Sequence, residues 1–559
     1  MQYATVTQHL AVSAQISPDD VDAIKAAGFK SIVCNRPNGE GPDQPTFSEI
    51  ESKAKALGMR SEYQPVVSGK VTAEDAKTFE DNLQSLPGPI FAYCRTGTRS
   101  ITLWAMAAVK THSFEEILAL SQKAGYDLSG VIRRLKNGGD TPSDYADYSH
   151  AVVIVGAGAG GIAVASSLKS RVPNLDVAII EPNEVHYYQP GWTLVGGGVF
   201  NANETVRTVA SVIPEGVRWI KAGAAAFIPK DNLVVVDGCR TVKYEHLIVC
   251  PGIKLDWGKI EGLSETLGEN GVTSNYRFDL APYTWELVKN LKSGKAIFSQ
   301  PPMPIKCAGA PQKAMYMSCD HWLRNNQLKS IDVQFYNTGG VLFGVKEYVP
   351  ALMKYIHRYN IGLNFEQQLV AVDGKHKVAK FKQVNSPNAA LVEKEFDMLH
   401  AVPPQSPPDF IKVSPLVDKD GWIDVDQSTL QHKTYENVFA LGDVINAPNA
   451  KTAAAARIQA PIVANNLLYE RGEQTDKAIY NGYGSCPLTV ERGKVVLAEF
   501  GYGGKILPSI PTWILDGTRP SRLAWYLKEK LLPPIYWEGM LKGREWMAKP
   551  EKMPKTDTQ

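Results

Sequence analysis

The chain carries a cysteine at a position that favours nucleophilic sulfur chemistry. Cys307 follows the strand-like segment 295–298 and precedes a helical pattern that begins near Pro311. A place near a helix N-terminus, beside the cation of Lys306, favours the thiolate over the thiol. Because the thiolate is the nucleophilic form of cysteine, this stretch predicts a reactive sulfur at Cys307.

The same junction lacks the features of a nucleotide-binding turn. Such a turn is rich in glycine, so that backbone N–H groups can hold a pyrophosphate at the start of the helix. Here the chain has prolines, which have no N–H to donate, at Pro301, Pro302 and Pro304. The stretch therefore argues against a second nucleotide site of the kind that NADH requires.

A second reactive cysteine is expected near the amino end. Cys94 ends the strand-like segment 89–93, and a helix is expected to begin at Ser100, so the loop between them forms an anion nest. Four residues, 95–98, separate Cys94 from Arg99, one fewer than in the cysteine-dependent phosphatases. The loop resembles that of the rhodanese sulfurtransferases, which implies that Cys94 and Arg99 handle a single sulfane sulfur. A phosphatase and an ordinary buried cysteine stay open as alternatives.

A glycine-rich stretch further along carries the features of a dinucleotide site. The apolar segment 151–155 leads into Gly156, Gly158 and Gly161 and then into a helical pattern. These glycines allow the tight turn, the approach of the pyrophosphate and the packing of helix on strand, respectively. Glu181 ends the next strand about twenty residues later and would accept the ribose hydroxyls.

A later segment identifies the dinucleotide. The strand-like stretch 437–441 ends in Gly442 and Asp443, and it is similar to the second FAD motif of the two-dinucleotide-domain flavoproteins. In that family the aspartate binds the ribityl chain, so the resemblance implies FAD as the cofactor. Lys451 is a candidate charge partner for the reduced flavin, and an ordinary lysine at a helix start is the alternative.

Several longer blocks resemble the sulfide:quinone oxidoreductases of the mitochondrial-like type over about residues 150 to 550. The blocks are 186–196, 304–313, 343–346, 402–408, 451–455 and 485–488. The resemblance implies FAD-dependent oxidation of sulfide with a quinone as electron acceptor. It also implies that the sulfur passes to a small acceptor such as glutathione or sulfite.

Such a reaction needs a cysteine pair that holds the sulfur while electrons reach the flavin. The resemblance places the pair at Cys307 and at Cys486, which lies in a loop broken by glycine and proline. Cys250, at the end of a strand, is the weaker alternative, whereas Cys239 and Cys319 are typical of packing positions. Which member of the pair faces the flavin stays open.

The carboxyl end combines aromatic and basic residues. Trp525, Trp537 and Trp546 are interspersed with lysines and arginines, and the sequence predicts two short helices broken at Pro533 and Pro534. Because tryptophan prefers the depth of lipid headgroups, we expect this segment to lie on a membrane surface. A tail packed on the main body and a dimer contact are the alternatives.

Composition argues against several other classes of protein. The 60 Lys and Arg against 58 Asp and Glu give a net charge of +2, which does not suit a nucleic-acid binder. Seven cysteines without paired spacing favour a reducing compartment over a disulfide framework.

We expect no metal site, and a peripheral location on the cytoplasmic face of a bacterial inner membrane. The oligomeric state is not predicted.

The predicted fold is α/β, with a phosphatase-like α/β domain followed by a two-dinucleotide-binding-domain (Rossmann-like) flavoprotein and a membrane-associating C-terminal segment. The expected parts are a phosphatase-like or rhodanese-like sulfurtransferase domain at 1–135, a linker at 136–149, an FAD-binding domain at 150–257 with 425–475, a second Rossmann-like domain at 258–424 and a C-terminal region at 476–559. The alternative function is an NADH-dependent quinone or polysulfide reductase with an N-terminal cysteine phosphatase or non-catalytic anion-binding domain.

Overall fold

The structure is a computed structural model that describes residues 3–41, 44–68, 71–136, 149–237, 240–386 and 388–553. Most of the predicted linker 136–149 lies outside these ranges, as does Cys239.

The amino-terminal part folds around a sheet with strand order β1-β2-β5-β3-β4, in which β1 and β2 are antiparallel and the other neighbours parallel. The strands are β1 Ala4–Thr7, β2 Leu10–Ser13, β3 Ser31–Cys34, β4 Arg60–Tyr63 and β5 Ile90–Tyr93. The helices are α1 Asp20–Ala26, α2 Phe47–Ala56, α3 Ala73–Ser85, α4 Thr98–Ala108, α5 Phe114–Lys123 and α6 Ser129–Lys136. Val12 and Val33 enter one apolar cluster, and their strand neighbours Ala11 and Ile32 enter another. The sheet is therefore buried on both faces, as in other parallel α/β sheets.

A second sheet holds the predicted dinucleotide motifs, with strand order β10-β7-β6-β13-β12-β11. Its elements and their connections are β6 Ser149–Val155, α7 Ala159–Arg171, β7 Val177–Ile180, β8 Val185–Tyr187, α8 Trp192–Val195, β9 Val206–Thr208, α9 Val209–Val212, β10 Val217–Ile220, β11 Ala224–Ile228, β12 Leu233–Val236 and β13 Arg240–Val249. Strands β10, β7, β6 and β13 are parallel, so their carboxyl ends meet at one edge, where such sheets bind ligands.

A third sheet is parallel throughout, with strand order β15-β22-β16-β17-β18. The elements of this region are β14 Lys254–Leu255, α10 Leu263–Thr266, β15 Val272–Thr273, α11 Leu280–Asn290, β16 Gly294–Gln300, α12 Ala310–Arg324, β17 Ile331–Asn337, α13 Val349–Tyr359, β18 Gly362–Phe365, β19 Gln367–Asp373, β20 Val378–Gln383, β21 Val392–Glu395, β22 Met398–His400, β23 Gln405–Ser406 and α14 Asp409–Lys412. Strand β16 leads through the proline-rich stretch into α12, as the sequence predicts.

The chain then returns to the second sheet. Strand β24, Val438–Ala440, pairs parallel with β13, and helix α15, Ala453–Glu470, packs against α7. This return brings the Gly442 segment to the same edge as the Gly156 turn. The architecture confirms the predicted α/β class, while the exact domain bounds stay a prediction.

The carboxyl-terminal region contains a hairpin and a long helical run. Its elements are β25 Ala478–Ile479, β26 Gly484–Glu491, β27 Lys494–Phe500, α16 Arg522–Tyr526, α17 Leu532–Pro534 and β28 Glu551–Lys552. π-helical segments Leu527–Leu531 and Ile535–Gly539 join α16 to α17 and continue beyond it. The predicted break at Pro533 and Pro534 is therefore wrong: these prolines lie in the first turn of α17, where a missing N–H is tolerated.

Short 3₁₀ turns complete the described elements. They are Gln189–Gly191, Ala202–Thr205, Pro229–Asp231, Trp257–Lys259, Leu328–Ser330, Lys346–Tyr348, Gly442–Val444, Tyr502–Gly504 and Met540–Lys542. Across the described ranges, no helix has the length and apolar character needed to cross a membrane.

Candidate active site

The two cysteines that the sequence pairs lie side by side. The Sγ atoms of Cys307 and Cys486 are 3.9 Å apart, although 179 residues separate them in the chain. Cys307 is partly exposed, whereas Cys486 is buried. A disulfide bond is about 2.05 Å long, and two successive S–S bonds reach at most about 4.1 Å. The two thiols are therefore in van der Waals contact and need only a small shift to form a direct or sulfur-bridged bond.

The hairpin β26–β27 brings Cys486 to this position. Leu488 and Val490 of β26 join Met315 of α12 in one apolar cluster, which fixes the hairpin against the helix. Gly309 lies between the two elements, and a Cβ atom there would be only 2.5 Å from Cys486 Sγ. The close approach of the sulfurs therefore requires glycine at this position.

The backbone holds Cys307 in an unusual conformation. Its φ of 47° lies in the left-handed region, which a residue other than glycine adopts at an energetic cost. The Cys307 N–H donates to the Lys451 carbonyl at 2.8 Å, and the Tyr276 hydroxyl donates to the Cys307 carbonyl at 3.2 Å. These contacts fix the direction of the sulfur.

A buried lysine supplies charge to the pair. Lys313, in the first turns of α12, is 3% exposed and its Nζ lies 3.1 Å from Cys307 Sγ. The pKa of Cys307 is lowered well below its ordinary value because the Cys486 thiol donates to its sulfur and because Lys313 attracts the thiolate, against the effect of burial. The pKa of Cys486 is raised by its hydrogen bond to the Cys307 sulfur and by burial.

Two further lysines lie near the pair. Lys528, within the π-helical segment, donates from Nζ to the Pro487 carbonyl at 2.9 Å, and burial lowers its pKa. Lys306, which the sequence associates with Cys307, instead donates to Gln189 Oε1 at 2.7 Å. The cation that contacts the Cys307 sulfur is therefore Lys313, not its sequence neighbour.

The glycine motif forms a cradle at the carboxyl edge of the second sheet. Gly156 has a φ of 106°, and a Cβ there would lie 2.7 Å from the Cys250 carbonyl oxygen. A Cβ at Gly161 would lie 1.8 Å from the Gly156 carbonyl oxygen, so glycine alone allows this turn to pack on α7. At Gly158 nothing approaches within 4 Å, because the backbone there faces a cavity.

The other predicted cofactor residues line the same cavity. Glu181 Oε2 accepts a hydrogen bond from the Ala157 N–H at 2.9 Å. This bond fixes the Glu181 carboxylate at the glycine turn. Gly442 and Asp443 face the cavity from the end of β24. Lys451 also lines it, but its Nζ donates to the carbonyls of Asp443 and Ile445 at 2.7 and 2.9 Å.

The cavity joins these motifs to the cysteine pair. Its volume is about 700 Å³, and its wall includes Cys307 and Lys313 as well as both glycine motifs. Cofactor pockets typically have volumes of about 300–1,000 Å³. The open backbone at Gly158, the fixed carboxylate of Glu181 and the size of the cavity therefore fit FAD.

The remaining described cysteines of this half occupy packing positions. Cys250 is buried beneath the glycine turn, with its Sγ 3.7 Å from the Gly156 carbonyl oxygen, and burial raises its pKa. Cys319 is fully buried within α12. Neither is paired with another sulfur in the way that Cys307 is paired with Cys486.

The amino-terminal loop forms the expected nest around Cys94. The Gly97 N–H donates to Cys94 Sγ at 3.2 Å, and Gly97, with φ 85°, is the N-cap of α4. Arg99 is 4% exposed and makes a bidentate pair with Glu40, with Nη1–Oε1 and Nη2–Oε2 distances of 2.9 and 2.7 Å. Glu40 Oε2 also accepts a hydrogen bond from Arg36 Nε at 2.8 Å.

Sequence reasoning did not find Lys313, Lys528 or Glu40. The position of Lys313 could have indicated its role, since it lies in the first turns of the helix that follows Cys307. No local pattern could have indicated Lys528 or Glu40. Lys528 lies near Pro487, and Glu40 near Arg99, only because of the tertiary structure.

The fold and the two FAD-binding motifs define a flavin-dependent oxidoreductase of the two-dinucleotide-domain class, and residues 150–300 match the family described as pyridine nucleotide-disulphide oxidoreductase. Among curated proteins, the mitochondrial sulfide:quinone oxidoreductase of Dictyostelium discoideum is 42% identical over 71% of this chain and 87% of its own length. That of Mus musculus is 39% identical over 70% of this chain and 86% of its own length. The chain therefore belongs to the sulfide:quinone oxidoreductase family, and its cofactor is FAD.

A solved structure agrees in fold. The sulfide:quinone oxidoreductase of Aquifex aeolicus superposes with a TM-score of 0.59 at 18% identity, covering 71% of this chain and 91% of that one. Residues 2–111 match the family described as beta-lactamase hydrolase-like protein, phosphatase-like domain. The amino-terminal part is thus phosphatase-like, as the sequence predicts, whereas the expected rhodanese-like sulfurtransferase activity stays a prediction.

The expected location is contradicted by these relatives. The sequence analysis placed the protein on a bacterial inner membrane, whereas the matching sulfide:quinone oxidoreductases of Dictyostelium and mouse are mitochondrial proteins of eukaryotes. Composition and cysteine count distinguish oxidising from reducing surroundings but carry no signal for a particular reducing compartment.

Proposed function

We propose that the chain oxidises sulfide at the Cys307–Cys486 pair and delivers the two electrons to a quinone. The observation that carries this proposal is the pair of sulfurs, 3.9 Å apart, at the cavity lined by the FAD-binding motifs. Family membership supports it, because the relatives are named for this reaction. Bound FAD supplies the two-electron chemistry between the thiols and the quinone.

The reaction begins from the oxidised pair. The sulfur of HS⁻ bonds to Cys486 Sγ, the S–S bond between the cysteines breaks, and Cys307 leaves as the thiolate with the bonding electron pair. Cys486 then carries a persulfide, Cys–S–SH. A nucleophilic acceptor takes the outer sulfur and leaves Cys486 as a thiolate: a thiolate becomes R–S–SH, and sulfite becomes thiosulfate with release of the proton. Loss of two electrons from the two thiolates restores the S–S bond.

The two cysteines have different roles in this proposal. Cys307 lines the cavity and its pKa is lowered, which suits the thiolate that releases electrons. Cys486 is buried and its pKa is raised, which suits the position that keeps the sulfur. Lys313 stabilises the departing thiolate through its contact of 3.1 Å.

The sulfur acceptor is proposed to be a small anion such as glutathione or sulfite. The cavity wall holds carboxylates such as Asp443 and Glu499 as well as basic groups, but the cations of Lys313 and Lys528 lie at the cysteine pair. Cationic walls raise the local concentration of anionic substrates.

The amino-terminal domain is proposed to act on the released sulfur through Cys94. The residues that line the cavity belong to the part of the chain from Gly156 onward, so the described amino-terminal residues do not reach the Cys307 site. The sulfur would therefore travel between the two sites on a diffusing carrier.

A membrane surface is proposed near the carboxyl end. Trp513 is 85% exposed and Tyr526 is 54% exposed, and the basic residues Arg522 and Lys530 flank Tyr526 in the sequence. Trp525 and Trp537 are instead buried. Exposed aromatics beside basic residues suit the interfacial layer in which a quinone would enter.

The proposal is tested by sulfide-dependent reduction of a soluble quinone, with and without glutathione or sulfite. Cys307→Ala and Cys486→Ala should each lower turnover by more than about a thousandfold. Cys319→Ala removes a buried sulfur of α12, the helix that follows Cys307, and serves as the control. Turnover in Cys486→Ala equal to that of the control would refute the paired-thiol mechanism.

A further inference from the structure

The hairpin β26–β27 has two faces with different chemistry. Because side chains alternate along a strand, Ser485 and Cys486 point to opposite faces of β26. Cys486 joins the apolar cluster that packs on α12, whereas Ser485 lines the cavity. Glu499 of β27 pairs directly with Ser485, so it shares the cavity face. The sulfur chemistry of the cysteine pair uses only the α12 face and leaves Glu499 without a role.

Glu499 is a buried carboxylate with a connection to solvent. It is 5% exposed, and the Tyr483 hydroxyl donates to its Oε1 at 2.6 Å. Ser509, which is exposed, donates from its hydroxyl to Oε1 at 2.5 Å and from its N–H to Oε2 at 3.2 Å. These three bonds offset the cost of burying the carboxylate. They also link Glu499 to solvent through Ser509.

Neighbouring groups fix the position and the charge of Glu499. The Tyr348 hydroxyl donates to the Glu499 carbonyl and accepts the Glu499 N–H, both at 3.0 Å. Arg457 of α15 lines the same cavity. Burial lowers the pKa of Arg457, and attraction to Tyr483 and Glu499 opposes this effect. The guanidinium is therefore close enough to stabilise the carboxylate that remains after a proton has left.

The cavity wall beside Glu499 is otherwise apolar. Leu497 lies two residues before Glu499 on β27 and also lines the cavity. Ile510 and Leu527 pack against the cluster that contains Leu497, and they line the cavity too. An apolar wall suits a quinone ring, but it supplies no protons. Because reduction of a quinone to a quinol consumes two protons, such a wall needs a proton donor of its own.

We propose that Glu499 is the catalytic acid that gives a proton to the quinone, with Ser509 as its link to solvent. The inference rests on the proposed reduction of a quinone in this cavity. Tyr483 and Ser509 are positioning residues, since each acts through the carboxylate.

The step balances electrons and protons. When the two electrons released by the thiolates reach the cavity, their negative charge favours protonation of the nearby carboxylate, and Glu499 takes up a proton from solvent through Ser509. The quinone accepts both electrons, and an O–H bond forms on one of its oxygens as the O–H bond of Glu499 breaks. The other oxygen takes its proton from solvent as the quinol leaves. Glu499 is then a carboxylate again.

The test separates the two half-reactions of the full-length FAD-loaded protein by stopped-flow absorbance. Sulfide bleaches the flavin in the first, and a soluble quinone restores its absorbance in the second. Glu499→Gln keeps the size and one acceptor oxygen of the side chain but has no carboxyl proton to give. Its flavin should bleach at the wild-type rate and should be reoxidised by quinone at least about a hundredfold more slowly. Glu51→Gln, an exposed change in α2, is the control and should match the wild type.

Two further readouts distinguish proton transfer from a structural role. Ferricyanide takes electrons without protons, so it should reoxidise Glu499→Gln as fast as the wild type. Infrared difference spectra between the oxidised and reduced wild-type protein should contain the C=O band of a protonated carboxyl group, and Glu499→Gln should lack this band. An unchanged band, equal reoxidation by quinone, or slow reoxidation by ferricyanide would each overturn the inference.

Ser509→Ala decides the matter if Glu499→Gln does not fold. Loss of the hydroxyl link should slow reoxidation by quinone about tenfold and leave reoxidation by ferricyanide unchanged. Wild-type reoxidation by quinone in Ser509→Ala would then overturn the inference. Failure of sulfide to bleach the wild-type flavin would instead refute the proposed function itself.

Discussion

At the scale of single residues, the chemistry depends on the charge around Cys307. Its sulfur is held by a strained backbone and is in contact with the buried ammonium of Lys313. The pKa of Lys313 is raised because the adjacent Cys307 and Cys486 sulfurs outweigh the effect of burial. Cation and thiolate therefore stabilise each other.

Replacement of Lys313 by methionine should raise the pKa of the Cys307 thiol by about 1 to 3 pH units. The sign follows because the ammonium favours the thiolate, so its loss favours the protonated thiol and moves thiolate formation to higher pH. The measurement is the pH dependence of iodoacetamide labelling at Cys307 in the reduced protein. Lys329→Met, a change at an exposed lysine away from the cavity, is the control. An unchanged profile in Lys313→Met would contradict the assignment.

At the scale of elements, the site depends on how closely the hairpin β26–β27 approaches the start of α12. Gly309→Ala should push Cys486 away from Cys307, because the added Cβ would lie 2.5 Å from its sulfur. We expect a loss of stability of about 1–3 kcal/mol and a large fall in sulfide-dependent turnover.

Thermal unfolding and quinone reduction measure the two effects of Gly309→Ala. Gly258→Ala is a matched control, since nothing lies within 4 Å of a Cβ at that glycine. Wild-type turnover in Gly309→Ala would show that the spacing of the sulfurs is not limiting.

Local sequence signals predicted the strand-to-helix junction at Cys307 and the glycine turn at Gly156, because each depends on neighbours in the chain. The partnership of Cys307 with Cys486 came from family resemblance, since no spacing rule joins residues 179 apart. The helical run through Pro533 was missed, because proline breaks a helix only where its N–H would be needed. Glu40 was missed because tertiary structure alone brings it to Arg99, and the resemblance that identified Cys486 does not extend to this domain.

At the scale of the whole molecule, the described aromatic surface near the carboxyl end is expected to determine membrane attachment. Trp513→Ala should weaken binding to liposomes about tenfold, because it removes the most exposed of the large apolar side chains described. Co-sedimentation measures this binding. Val67→Ala, a change at an exposed apolar residue of the amino-terminal domain, is the control. Equal binding of the two variants would place the membrane surface elsewhere.

The most direct measurement is the anaerobic reduction of the bound FAD, followed by stopped-flow absorbance after mixing with sulfide. Sulfide should bleach the flavin in the wild type, and Cys307→Ser and Cys486→Ser should each slow this step by more than about a thousandfold. NADH should leave the flavin oxidised, because Pro301, Pro302 and Pro304 occupy the junction where a second nucleotide would bind. Rapid bleaching by NADH, or by sulfide in Cys307→Ser, would contradict the account.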